Sequence, residues 1–134
     1  MQNSKINLTM KITQGFEVST TKYVANGSFI EKDGKFFLFF DEKGCDDNDI
    51  TKCRFEISED SMRLRRNGAI VTEQMHVNNQ ETNGYIKTPF GHMKTIIKTT
   101  DLTFENYHLS LRYDLFINNE LTGNYNLKVK IEED

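Results

Sequence analysis

A chain of 134 residues with a formal net charge of −3 has the length of one folded domain, 1–134, and buries enough surface to need no disulfide or metal staple. Its balance of 17 Lys and Arg against 20 Asp and Glu excludes the clustered basic surface on which phosphate recognition rests. No apolar run approaches the roughly 18 residues of a spanning helix, and the polar opening from Met1 to Lys5 has no leader character, so a cytoplasmic protein is expected.

Apolar and polar residues alternate along most of the chain, and turn signals punctuate the alternation. Ile6, Leu8, Met10 and Ile12 make one face of a first strand, which Gln14-Gly15 turns. Phe16 to Ile30 reads as one long extended segment, with Gly27 suggesting a bulge or bend. Lys32-Asp33-Gly34 is a hairpin signal, because Asp-Gly tolerates positive φ. Phe36 to Phe40 is apolar on both faces, so both faces are expected to be covered. Asp41 to Asp49 is an acidic loop. Cys53, Phe55 and Ile57 form the next inward face, and Glu59-Asp60-Ser61 turns.

Met62 and Leu64 alternate with Arg63 and Arg65, and the basic run Arg63, Arg65, Arg66 reads as a solvated strand face. Asn67-Gly68 fits a type I′ hairpin turn. Ala69 to Val77 returns, and Asn78-Asn79 begins another connection. Thr88-Pro89-Phe90-Gly91 fits a turn with Pro second and Gly fourth. Met93 to Thr100 is β-branched and extended. Tyr107, Leu109, Leu111, Tyr113, Leu115 and Ile117 share a face, Asn118-Asn119 turns, and Tyr125 to Ile131 closes the chain.

This pattern gives an all-β protein, an antiparallel up-and-down meander barrel of about eight to ten strands. Closing Ile6–Ile12 onto Tyr125–Ile131 removes the exposed sheet edges, and no connection beyond the loop Asp41–Asp49 is long enough for a Greek-key crossover. Eight strands leave an interior that side chains just fill or that holds one small ligand, and ten leave more room.

Several segments resemble the YwiB-like β-barrel family of Gram-positive bacteria. They are Lys35 to Glu42, Arg66-Asn67-Gly68-Ala69-Ile70 with Gln74 eight residues after the Arg, Tyr85 with Thr88-Pro89-Phe90-Gly91, and Tyr113-Asp114. The resemblance implies a calycin-like barrel, related in architecture to lipocalins and fatty-acid-binding proteins. It implies no established activity, so it carries over no catalytic residues.

The polar or amphipathic residues of those segments, Arg66, Gln74, Tyr85 and Tyr113, are the ligand-binding candidates. An interior Arg clamps a carboxylate or phosphate with its planar fork, and tyrosines supply an apolar wall with a hydroxyl. The alternative is that Arg66 and Gln74 order the Asn67-Gly68 hairpin and that both tyrosines are core. Gln74 shares a face with Ile70, Thr72 and His76, opposite Val71, Met75 and Val77; if that second face lines the core, Gln74 points to solvent. His76, His92 and His108 read as unrelated surface residues without metal spacing.

The acidic loop lacks the spaced ligands of a calcium site, so no metal and no cofactor are expected. No nucleophile or phosphate-loop signature is present. Cys53 reads as a small buried hydrophobe. A Cys45–Cys53 disulfide is open on spacing but disfavoured in a reducing compartment.

Three readings follow. The first is a barrel binding a small apolar, amphipathic or anionic ligand. The second is a structural or protein-interaction module with a filled barrel, as monomer or homodimer. The third is an enzyme, for which Arg66 with His76 or His92 is the only pair to inspect. Nucleic acid and membrane are not expected as partners.

Overall fold

The computed structural model describes residues 2–44 and 49–133. Ten strands follow in order: β1 (Gln2–Gln14), β2 (Glu17–Lys32), β3 (Lys35–Lys43), β4 (Ile50–Ile57), β5 (Ser61–Asn67), β6 (Val71–Val77), β7 (Glu81–Thr88), β8 (Gly91–Glu105), β9 (His108–Ile117) and β10 (Glu120–Glu133). Each pairs antiparallel with its chain neighbours, and β1 pairs with β10 to close the barrel. The closing register sets Ile6 against Ile131, Leu8 against Val129 and Met10 against Leu127. The architecture is consistent with the calycin-like barrel that the resemblance implies.

One face of each strand fills the interior, with Ile6, Leu38, Phe55, Leu64, Leu111 and Leu127 at its centre. One end is sealed by aromatic rings. Phe29 stacks on Phe36 at 4.9 Å, Phe36 meets Phe104 at 4.7 Å, and Tyr107 lies 5.5 Å from Phe29. On the outside, Arg54 covers Phe37 and Phe39, its guanidinium 5.8 and 5.7 Å from the ring centroids. That is how both faces of Phe36–Phe40 come to be sheltered.

Several turn expectations hold. Asp33 and Gly34 have φ of 55° and 77°, and Asn118 and Asn119 have 53° and 65°, as mirror-image hairpin turns require. Asn67-Gly68 departs from expectation. Asn67 still pairs with Val71, neither residue has positive φ, and the connection is residues 68–70. Gly68 is needed for another reason: a Cβ there would strike Thr51 of the neighbouring strand β4.

Tyr107 also departs from its expected place at a strand start. It is a turn residue with φ of 61°, rare for a bulky side chain, and its packing on Phe29 and Phe36 holds it there. Gly27 marks no bulge. Its register runs on through Ser4 and Phe40, and a Cβ would run into the Phe39 carbonyl, so it serves close strand approach. The irregularities sit instead between Thr99 and Asp101 and between Leu121 and Gly123.

Among the described residues no helix is long and apolar enough to cross a membrane. Residues 45–48, and with them the middle of the acidic loop and any bridge from Cys45, lie outside the described residues.

Candidate ligand site at the barrel mouth

The inward parity of β2, β3, β4 and β5 continues past the apolar core into four groups that carry chemistry. Tyr23 follows from the series Phe29, Gly27, Ala25. Glu42 extends Phe36, Leu38 and Phe40. Cys53 precedes Phe55 and Ile57, and Arg66 follows Met62 and Leu64. Arg66 therefore leaves the solvated face to which the sequence assigned it. Arg65 faces out and pairs with Glu73 at 3.0 Å, while Arg66 turns inward.

Three of these groups converge on the carboxylate of the fourth, Glu42. Arg66 Nη2 donates to Glu42 Oε1 at 2.8 Å, Tyr23 OH donates to Glu42 Oε2 at 3.0 Å, and the Cys53 thiol points at the same oxygen from 3.8 Å. Burial, and then the Glu42 charge, push the Tyr23 hydroxyl well above the ordinary phenol range. Burial raises the Cys53 thiol to about 11; Arg66 acts against that shift and Glu42 with it. Burial works against the charge on Arg66, but Glu42 and Cys53 outweigh it and hold the guanidinium above its usual value. The Arg66 guanidinium is therefore held in its charged form against the Glu42 carboxylate.

Beneath this group lies a cavity of about 170 Å³, walled by Leu8, Met10, Phe40, Phe55, Leu64 and Leu127 and roofed by Tyr23, Glu42, Cys53 and Arg66. The Glu42 and Arg66 side chains remain 28% and 41% exposed, so the cavity opens to solvent at this end. Larger depressions, of about 510 and 550 Å³, lie elsewhere: one at the sealed end beside Asp33-Gly34, over Phe36, Ile57 and Phe104, and one beside Tyr85 and Phe116. The smaller cavity joins an apolar interior wall to a polar head that carries an Arg–Glu pair.

Deeper in the barrel a second polar network is closed to solvent. Gln74 and His76 face inward, contrary to the solvent-facing parity and to the reading of three surface histidines. Strand β6 turns its polar set inward because its register places Gln74 opposite Leu64 and His76 opposite Met62. His76 Nε2 bonds Gln74 Oε1 at 3.0 Å, and His76 Nδ1 bonds Thr99 Oγ1 at 2.9 Å. Since Gln74 presents its carbonyl oxygen, Nε2 carries the proton and Nδ1 accepts from the Thr99 hydroxyl. Burial lowers the His76 pKa to about 4. Tyr113 packs 4.7 Å from the imidazole and stacks on Tyr125 at 5.0 Å, and burial raises its hydroxyl against the hydrogen bond from Gln74.

Of the four sequence candidates, Arg66 heads the cavity, while Gln74 and Tyr113 lie together in the buried network. Tyr85 is on the outside, where its hydroxyl donates to Glu73 at 2.9 Å and its ring stacks on His92 at 6.5 Å. Tyr85 thus shares no space with the other three. Tyr23, Glu42 and Cys53 were missed. The signal was available: an ionisable residue that extends an apolar parity set lies inside the barrel. Among the described residues no group of three or more His, Cys, Asp or Glu is placed to hold a metal ion.

No curated protein matches the chain. It is similar to the solved structure of the ywiB protein from Bacillus subtilis, with a TM-score of 0.82 over 99% of this chain and 92% of that one, at 16% identity. At that identity the likeness shows the fold alone. A family model matches residues 6–129, from the first barrel strand into the last, so the chain belongs to the family described as Domain of unknown function (DUF1934).

Proposed function

We propose that the barrel binds a small, mostly apolar molecule with one uncharged or zwitterionic polar end. The observation that carries this reading is the cavity of about 170 Å³, apolar along its wall and headed by the Arg66–Glu42 pair. A dry apolar cavity of about 150 Å³ suffices for benzene, so the enclosed part of the ligand is about one ring or a short alkyl chain. Glu42 already neutralises Arg66, which removes much of the attraction for an anion. The head instead offers donors on Arg66 and acceptors on Glu42, a match to a hydroxyl, amide or similar group.

Benzyl alcohol is a suitable probe. At about 0.5 kcal/mol per non-hydrogen atom its affinity is about −4 kcal/mol, a Kd of about 1 mM. Methyl NMR should show saturable shifts at Leu8, Leu64 and Leu127, absent in Leu8→Phe. Shifts that are linear in concentration, or unchanged in Leu8→Phe, would sink the reading.

The filled-barrel reading draws on the Gln74–His76–Thr99 network, which occupies interior space with satisfied groups. An unsaturable response in the same titration would favour it. The enzyme reading loses its base, because both His76 nitrogens are engaged and His92 stands outside the barrel.

A further inference from the structure

Closure of the barrel leaves one sheet edge bare. Strand β2 runs from Glu17 to Lys32, but it pairs with β3 only from Gly27, opposite Phe40, to Lys32. The stretch from Glu17 to Asn26 pairs with β1 alone, and among the described residues no strand is bonded to its other side. Strand β3 leaves with β4: Lys43 pairs with Ile50, and Gly44 N–H donates to the Asp49 carbonyl. Strand β1 meanwhile stays paired with β10 up to Thr13, so the β1–β2 hairpin is held on one side and open on the other. Residues Glu17 to Lys22 are exposed on both faces of the strand, as in a hairpin that stands past its barrel.

Hairpin geometry says which groups this edge presents. Across a two-residue turn the flanking residues exchange both hydrogen bonds, Lys32 with Lys35 around Asp33-Gly34 and Glu17 with Gln14 around Gly15-Phe16. Even-numbered residues of β2 therefore bond toward β3, and odd-numbered ones toward β1. On the open stretch Val18, Thr20, Lys22 and Val24 each turn an N–H and a C=O away from the protein. The usual guards of an edge are missing here: the stretch has no proline, its register carries no bulge, and Lys22 is its one cation.

We infer that two copies of this chain dimerise by pairing this edge antiparallel about a two-fold axis at Thr21. An axis normal to the sheet sets residues of like parity opposite one another. With Thr21 facing Thr21, Val18 faces Val24 of the second copy, Thr20 faces its Lys22, and the reciprocal pairs complete the set. Each bare N–H and C=O of the four edge residues then meets another. Val18 and Val24, 56% and 60% exposed, cover each other in both halves of the contact. The Gly15-Phe16 turn of the second copy comes opposite Gly27 and Asn26, where β3 takes over, so the added strand and the opening end together. Phe16, 107% exposed, comes diagonal to Val24 of the second copy. Other registers fit worse. Centring on Thr20 sets Val18 against Lys22, and centring on Ser19 leaves Val24 bare.

The contact joins the two sheets edge to edge beside Thr21, which borders the cavity. Seven residues from each copy, Val18 to Val24, bury less than the about 1,200 Å² of a standard interface, so the dimer is reversible and depends on concentration. It selects the homodimer from the two assembly states left open by the sequence, and it does not rest on the ligand reading.

Sedimentation velocity from about 5 µM to about 500 µM, without ligand, should show monomer passing into dimer, as a contact of this size requires. Thr20→Pro removes a bare donor and takes no bond from β1, so circular dichroism should keep its β spectrum while the dimer is lost. Val18→Lys/Val24→Lys sets like charges opposite each other and should weaken the dimer at least about tenfold; Val18→Lys/Val24→Glu sets opposite charges there and should restore it. Both positions are exposed, so these variants decide the matter if Thr20→Pro fails to fold. In a Cys45→Ser background, with Cys53 buried, Thr21→Cys should link two chains on mild oxidation, because a non-hydrogen-bonded pair holds its Cα atoms about 4.5 Å apart. Val18→Cys should not, since the two copies of that position lie about 20 Å apart along the strands.

A monomer at every concentration overturns the inference. So does a dimer that Val18→Lys/Val24→Lys leaves intact, or equal cross-linking of Val18→Cys and Thr21→Cys. A dimer that Val18→Lys/Val24→Glu leaves as weak as Val18→Lys/Val24→Lys overturns the register about Thr21.

Discussion

Lowering the pH should destabilise this barrel through His76 in a window set by one imidazole. The ring is fully buried, its pKa is lowered from 6.5 to about 4, and both nitrogens are engaged by Gln74 and Thr99. The folded state therefore binds fewer protons than the unfolded state between about pH 6.5 and pH 4. Stability is full above 6.5 and is lost as pH falls through that window. Linkage with those two values gives a loss of about 2 kcal/mol between pH 7 and pH 5, and about 3 kcal/mol by pH 4. Against a total of about 5–15 kcal/mol for a domain, that shift is readily measured.

Urea denaturation followed by far-UV circular dichroism, at pH 7 and pH 5, measures it in the wild type and in His76→Asn. The substitution leaves Gln74 and Thr99 short of a partner and costs about 1–3 kcal/mol at every pH. The informative quantity is the difference of the two pH dependences, in which the carboxylates common to both proteins cancel. The wild type should lose about 2 kcal/mol more than the variant between the two pH values. Equal losses would refute the assignment, as would a His76 ring that titrates near 6.5 in the NMR spectrum of the folded protein.

Other outcomes follow from the same geometry. In a Cys45→Ser background, the Cys53 thiol at about 11 should alkylate at pH 8 about 100-fold more slowly in the folded than in the urea-unfolded protein, and Glu42→Gln should speed the folded rate because it removes a charge that raises the thiol pKa. Folded and unfolded rates within a few-fold of each other would contradict this placement of Cys53. Gly27→Ala and Gly84→Ala should each cost about 2–4 kcal/mol in urea melts, since the new Cβ meets the Phe39 or Glu73 backbone carbonyl; a cost under 0.5 kcal/mol would refute the close approach. Leu64→Ala should cost about 3–5 kcal/mol by enlarging the cavity, and 10 mM benzyl alcohol should restore about 1.4 kcal/mol; no restoration would count against ligand entry.

The fold was legible because its determinants are local. Period-two alternation and Asp-Gly or Asn-Asn turns are written within a few residues, and Ile6–Ile12 closing on Tyr125–Ile131 needs only edge removal. Side-chain direction on β6 was not legible from that strand alone. Val71, Met75 and Val77 look like the inward set, yet Gln74 and His76 face in, because the partners that satisfy them come from β8 and β9. Asn67-Gly68 failed similarly: the glycine answers to Thr51 on another strand and not to its own turn. Arg66 was reached through family-like residues, whereas Glu42 and Tyr23 required following parity beyond the last apolar residue of β3 and β2.

Strand number bounds the interior, but filling decides what the interior can hold. Ten strands enclose more space than the eight that side chains just fill. This chain uses the surplus in three layers. Phe29, Phe36, Phe104 and Tyr107 seal one end with rings in mutual contact. The middle is occupied by Gln74, His76, Thr99 and Tyr113, whose hydrogen bonds make them costly to displace. What remains lies under the open mouth, where Arg66 and Glu42 satisfy each other and leave an apolar floor at Leu64, Phe55 and Leu127. The apolar floor at Leu64, Phe55 and Leu127, and not the circumference of the barrel, limits the enclosed part of a ligand to about one ring. A longer molecule must extend outward past Met10 and Thr21.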